Sequence, residues 1–105
     1  MTTFDEREQA FEAKFAHDEE MQFKARARRN KLVGLWAAEL LGKTGSAAGN
    51  YAQEIVAVDL EEAGHEDVVR KLTGDLGHRA SEEQIRSKIR ELMPQARAEI
   101  LSEAG

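Results

Sequence analysis

No glycine occurs before Gly34 and no proline before Pro94, and strong helix formers fill most of the chain ahead of them. From Thr3, then, nothing interrupts one helix as far as about Leu41. Thr3 is a suitable N-cap, Asp5 and Glu6 complement the positive helix end, and Gly42 is a natural stop. At 1.5 Å per residue such a helix would be about 58 Å long. The helical stretches that follow are much shorter, so whatever they build covers only part of it.

Three further helices are predicted. The second is capped by Thr44 or Ser46, ends near Gly64, and turns Tyr51, Ile55, Val58 and Val56 inward. The third spans Glu66 to Leu76, with Val68, Val69, Leu72 and Leu76 apolar and Gly77 as its stop. The fourth opens on Ser81-Glu82-Glu83-Gln84, a capping box, and carries Ile85, Ile89, Leu92, Met93, Ala96 and Ile100 at helical spacing. Pro94 removes one backbone bond there, which predicts a kink or boundary near Arg90 to Met93. In the second half of the first helix the apolar stripe reads Met21, Ala25, Leu32, Val33, Trp36 and Leu40.

No alternating run argues for a strand. The connections at 42–45, 63–65 and 77–80 are short, which favours antiparallel neighbours. The fold class expected is all-α: a four-helix bundle with an N-terminal helical or partly disordered extension. The fourth helix would span roughly 33 Å, so the first 18–20 residues overhang the bundle, fold back on it or lack order. The expected division is an N-terminal segment, 1–19, and a helical bundle domain, 20–105.

Three of the four phenylalanines lie on that overhang. Phe4, Phe11 and Phe15 stand at i, i+7 and i+11 and share one helix face. An isolated helix of this length is marginal in water. Two outcomes are open: the rings order when they meet a groove on a partner, or they fold back as core.

With 105 residues, 41% hydrophobic and 33% charged, the chain fits one small domain with a heavily charged surface. Cysteine is absent, consistent with a reducing compartment. The acidic start lacks the apolar region of a signal peptide, and no apolar run reaches the roughly 20 residues that cross a bilayer. Membrane association would therefore come through a partner. The net charge of −5 is unevenly spread: residues 1–20 balance to −5, residues 21–43 to +5 and the remainder to −5. An acidic end joined to a basic middle suggests contact with a charged partner, unless both are solvated helix faces.

Other chemistries fit poorly. Gly42-Lys43-Thr44 resembles the tail of a phosphate loop, but Ala37 stands where that loop needs glycine and a helix precedes it. The basic run Lys24, Arg26, Arg28, Arg29 and Lys31 lacks a nucleic-acid-reading motif, and Glu20 can pair with Lys24 at i, i+4. Arg29 falls inside the apolar arc, so it needs a carboxylate from another helix or faces a partner. His17, His65 and His78 are too scattered to suggest a metal site. His17 could make the action of the N-terminal segment pH-dependent. No nucleophile–base–acid set is apparent. The expectation is no enzyme, no cofactor, no metal and no nucleic acid.

The stretches FDEREQAFEAKFAHDEE, FKARARRNKLVGLWAAELLGKTG and DLEEAGHEDVVRKL resemble the zeta subunit family of bacterial ATP synthase inhibitors, typical of alphaproteobacteria. The resemblance covers Thr2 to about Glu103 in one register. It implies a four-helix bundle with a labile N-terminal segment that blocks ATP hydrolysis by entering the catalytic head of the F-type ATP synthase, built of alpha, beta and gamma subunits. Carried onto this chain, the inhibitory segment includes Phe4, Asp5, Arg7, Phe11, Glu12, Lys14, Phe15, His17 and Asp18. Arg28 and Arg29 are a secondary partner contact. The resemblance further implies a cytoplasmic protein, monomeric when free, peripheral to the inner membrane through the synthase and without direct membrane insertion. The competing expectation is a helical adaptor with an unrelated protein partner.

Overall fold

The computed structural model describes residues 19–59 and 65–104. Residues 1–18 lie outside that description, so the expected start of the first helix at Thr3 does too. Four α-helices follow one another, α1 (Glu19–Leu40), α2 (Gly45–Asp59), α3 (Glu66–Leu76) and α4 (Glu82–Ala104), with a short 3-10 turn at Gly77–Arg79. No strand occurs among the described residues. The fold is the all-α four-helix arrangement the sequence predicts.

α1 is the axis of the molecule, packed by both α2 and α4. Its end is set by local chemistry. Gly42 adopts φ 76°, the left-handed conformation that glycine takes without a Cβ clash. The Gly42 amide then donates to Glu39 O at 3.1 Å and the Lys43 amide to Ala38 O at 2.9 Å. These two bonds form the Schellman motif, which satisfies carbonyls the helix would otherwise strand. Gly42-Lys43-Thr44 is thus a helix stop followed by a turn.

The main core gathers Val33, Ala37 and Ala38 of α1, Tyr51 and Ile55 of α2, Val68, Val69, Leu72 and Leu76 of α3, Ala80, and Ile85 and Ile89 of α4. A smaller cluster of Met21, Ala25 and Ile100 joins the first half of α1 to the last turns of α4. α3 matches its predicted bounds and buries all four of its predicted apolar residues.

Three expectations need correction. On α1 the buried stripe carries Val33, Gly34, Ala37 and Ala38, while Leu32 and Trp36 are half-buried and Leu40 is 38% exposed. A helix gripped from two sides needs small residues where it is touched most closely, so its larger ones straddle the rim. On α2, Ala52 is buried, while Val56 and Val58 are only half-buried. The α-helix stops at Asp59, and the expected reach to Gly64 lies outside the described residues. On α4 there is no boundary at Pro94: the helix runs unbroken from Glu82 to Ala104. Pro94 and Arg90 both lie on the exposed face, where water can hydrate the Arg90 carbonyl that loses its partner. Ile89 is buried on one side of Pro94 and Ala96 and Ile100 on the other, so both halves are anchored to the bundle.

The capping box at the start of α4 forms as the sequence predicts. The Gln84 amide donates to Ser81 Oγ at 3.1 Å, and the Ser81 amide donates to Gln84 Oε1 at 2.8 Å. Ser81→Ala removes the first bond and is expected to cost about 1 kcal/mol. A urea titration reads this as a lower midpoint with an unchanged slope.

Candidate functional site

Phe4, Asp5, Arg7, Phe11, Glu12, Lys14, Phe15, His17 and Asp18 all precede the described residues, as does the ring face they define. What the structure supplies is the base from which that segment leaves, the first turns of α1. Glu19 and Glu20 open α1, and Lys24 Nζ pairs with Glu20 Oε1 at 3.1 Å, the i, i+4 pair read from the sequence.

One turn further on, Arg28 bridges to α4. Its guanidinium donates to Glu99 Oε1 at 2.8 Å and to Glu103 Oε1. These hydrogen bonds to the two carboxylates hold the guanidinium above its ordinary range. Glu99 is held below the usual carboxylate range, first by the Gln95 side-chain amide and then by Arg28. The clamp ties the start of α1 to the end of α4, over the cluster of Met21, Ala25 and Ile100.

Arg29 is placed differently. It is 7% exposed, and its Nε and Nη2 both donate to Asn30 Oδ1 at 3.1 Å. Burial pushes its guanidinium down, and the charge of Asp59 on α2 works against that push. Asp59 on α2 is the carboxylate whose charge favours Arg29, though the two side chains make no direct hydrogen bond or ion pair among the described residues. Its guanidinium is a buried charge of the fold rather than a surface group. Asn30 Nδ2, Asp59 Oδ1 and Arg26 Nε are buried without a hydrogen-bond partner among the described residues.

Sequence reasoning missed Phe23. It is 47% exposed, the most exposed large apolar side chain described. Its place off the buried stripe was the available signal. Phe23 lines an open groove of about 380 Å³ together with Ala27, Val56, Ile100 and the cations Lys24, Arg28 and Lys31.

The far end of the bundle is a separate polar cluster. The Tyr51 hydroxyl donates to Asp75 Oδ2 at 2.8 Å, and Lys71 Nζ lies 3.0 Å from the same oxygen. Burial pushes the Tyr51 phenol up, and the Asp75 carboxylate adds to the shift. Burial also pushes the Asp75 carboxyl up, but the hydrogen bonds from Tyr51 and Lys71 outweigh it and leave the group below its ordinary value. Glu66 is lowered likewise, chiefly by its bond to Arg86. A carboxylate depressed in the folded state stabilises it above the unfolded pKa of about 4, and that contribution fades as pH falls. Melting temperature is therefore expected to fall between pH 5 and pH 3, less steeply in Asp75→Asn. Thermal melts across that range check the sign.

Among the described residues no group of three or more His, Asp or Glu side chains could hold a metal ion. No helix among them is long and apolar enough to cross a membrane.

The fold is a helical bundle with a charged clamp at one end and an apolar groove beside it. Over residues 1–99 the sequence matches the family ATPase inhibitor subunit zeta, and the chain belongs to that family. It is therefore an inhibitor subunit, and its partner is an ATP synthase. Among solved structures, a protein determined in solution by NMR is 57% identical, with a TM-score of 0.74 over 79% of this chain and 98% of its own. No curated protein matches.

Proposed function

We propose that residues 1–19 are the inhibitory element, that they insert into the catalytic head of the F-type ATP synthase, and that the bundle of residues 20–105 is the stop behind them. The observation that carries this reading is the extent of the family match, which begins at residue 1 and so includes the segment ahead of the bundle. The phenylalanines Phe4, Phe11 and Phe15 act as anchors, each contributing about 1.5–3 kcal/mol on burial. Asp5, Arg7, Glu12, Lys14, His17 and Asp18 set register and speed encounter.

The block needs no catalytic group. It needs a wedge at an interface between alpha and beta subunits, near gamma, and a body that cannot follow it. The Arg28 clamp onto Glu99 and Glu103 supports this, because it fixes the base of the wedge to two helices. A second contact through Arg28 would exchange those carboxylates for acids of the partner. In this reading the protein works in the cytoplasm, at the membrane only through the synthase.

The test is ATP hydrolysis by the matched synthase with the full chain and with residues 1–18 deleted. Deletion is expected to abolish inhibition while the helical signal of the bundle persists. A truncated chain that inhibits as well as the intact one would sink the assignment.

A further inference from the structure

The exposed ring of Phe23 is unusual in its company. The groove it lines has an apolar floor of Ala27, Val56 and Ile100 and a rim of Lys24, Arg28, Lys31, Gln53 and Glu103. A second hollow of about 260 Å³, lined by Met21, Lys24, Ile100 and Glu103, shares three of those residues. Together they form a trough that starts beside Met21, two residues from the first residue of α1. The trough does not converge on a small polar ligand. Lys24 is turned to Glu20, and Arg28 to Glu99 and Glu103. What it offers is an apolar strip whose rim carries Lys24 and Arg28, each already paired with carboxylates, and Lys31, which makes no direct ion pair among the described residues. Such a surface suits an acidic segment with aromatic anchors.

We propose that this trough is a docking surface for the chain's own residues 1–18, which it holds against the bundle until a partner takes them. Charge contributes at one point, Lys31: residues 1–18 carry five acids, Asp5, Glu6, Glu8, Glu12 and Asp18, against Arg7 and Lys14. Apolar content fits, since Phe11 and Phe15 precede α1 by eight and four residues. Reach fits as well. Ala27 stands about 12 Å along α1 from Glu19, and the eight residues from Phe11 to Asp18, seven steps apart, span about 10 Å as helix or up to ~24 Å extended. A reversal over 16–18, ahead of α1, would lay Phe15 and Phe11 along the part of the trough that runs from Met21 to Phe23. Lys31, whose charge acts on Glu99 but which makes no direct ion pair among the described residues, then meets the acids further up the segment. Docking competes with insertion, so the groove sets how much of the segment is available. That consequence rests on the inhibitory reading above, whereas the docking itself does not.

The chain has no cysteine, so a nitroxide label can be placed at will. Gln53→Cys puts it on the groove, and His78→Cys puts it at the opposite end of the bundle. With the label at Gln53, amide signals of residues 8–15 in the dilute full-length protein are expected to lose most of their intensity. With the label at His78 they should keep it. Adding Phe23→Ala and Lys31→Glu to the Gln53-labelled chain should restore the signals. Equal attenuation from both labels, or none from Gln53, overturns the proposal whether or not residues 1–18 inhibit. The second readout is hydrolysis by the synthase. Phe23→Ala, which alters an exposed side chain and should fold, is expected to increase inhibitory potency several-fold by releasing the segment. A several-fold decrease would mean that the groove grips the synthase instead and would equally overturn self-docking.

Discussion

Gly34→Val costs the bundle about 3 kcal/mol, while Gly34→Ala costs nearer 1. The difference from an ordinary helix position arises from one contact. A Cβ at Gly34 would stand 2.7 Å from the Ala52 Cα and 3.2 Å from both the Ala52 Cβ and the Ile55 Cγ1. The 2.7 Å neighbour is backbone, which cannot rotate away. Alanine recovers roughly 1 kcal/mol of helix propensity, which offsets part of the overpacking. Valine recovers less, adds two methyl groups at the same point and must push α2 off α1. Since 1 kcal/mol moves the melting temperature of a domain this size by about 4–8 °C, the valine variant should melt more than ~10 °C lower. Ala52→Gly, added to Gly34→Val, should restore part of that loss, because the clash lies between these two positions. If the valine variant melts with the parent protein, the helices are further apart than the structure places them. At temperatures where it stays folded, the variant should still inhibit on the proposed reading, which places inhibition in residues 1–19.

Gly34 also shows where the sequence stops being legible. Read alone, it was a glycine inside a helix that runs on to about Leu41, with nothing to say that a neighbouring backbone presses on it. Sequence periodicity finds the apolar face of a helix that touches one neighbour, and it found all of α3, whose Val68, Val69, Leu72 and Leu76 face a single core. It fails on α1, where small residues mark the closest contacts and the larger Leu32 and Trp36 sit at the margins. The turn chemistry was fully readable, at Gly42 and at the Ser81 capping box, because those interactions are local. The boundary expected near Pro94 does not form, for the opposite reason. The lost backbone bond is local, but burial on both sides, through residues far away in sequence, decides whether the helix ends. For the site, the phenylalanine spacing and the charge asymmetry were visible directly. That Phe23 would stand open beside three cations depended on how α2 and α4 flank α1, which no pattern along the chain records.

Asp59→Ala is the second large effect expected, about 3 kcal/mol of destabilisation. Arg29 cannot shed its proton at any working pH, so burying it leaves a full charge to be compensated. Its own neighbours on α1 are poor compensation. Asn30 accepts two of its hydrogen bonds but carries no charge, and Arg26 adds repulsion. Asp59 is the charge acting in its favour, itself buried at the end of α2. Removing Asp59 takes away the charge that favours the buried guanidinium, which is then held only by the neutral Asn30. Replacing both, with Arg29→Met and Asp59→Leu, should recover most of the loss, because apolar partners of similar volume need no compensation. Urea titrations of the two single variants and the double variant measure the coupling as a cycle. Additive effects would mean the two charges do not sense each other, and the account of Arg29 would be wrong. The double variant also separates fold from function. If it is stable and inhibits normally, the buried charges serve only to set how α2 leaves α1. If it is stable but inhibits poorly, that end of the bundle is part of what the synthase holds.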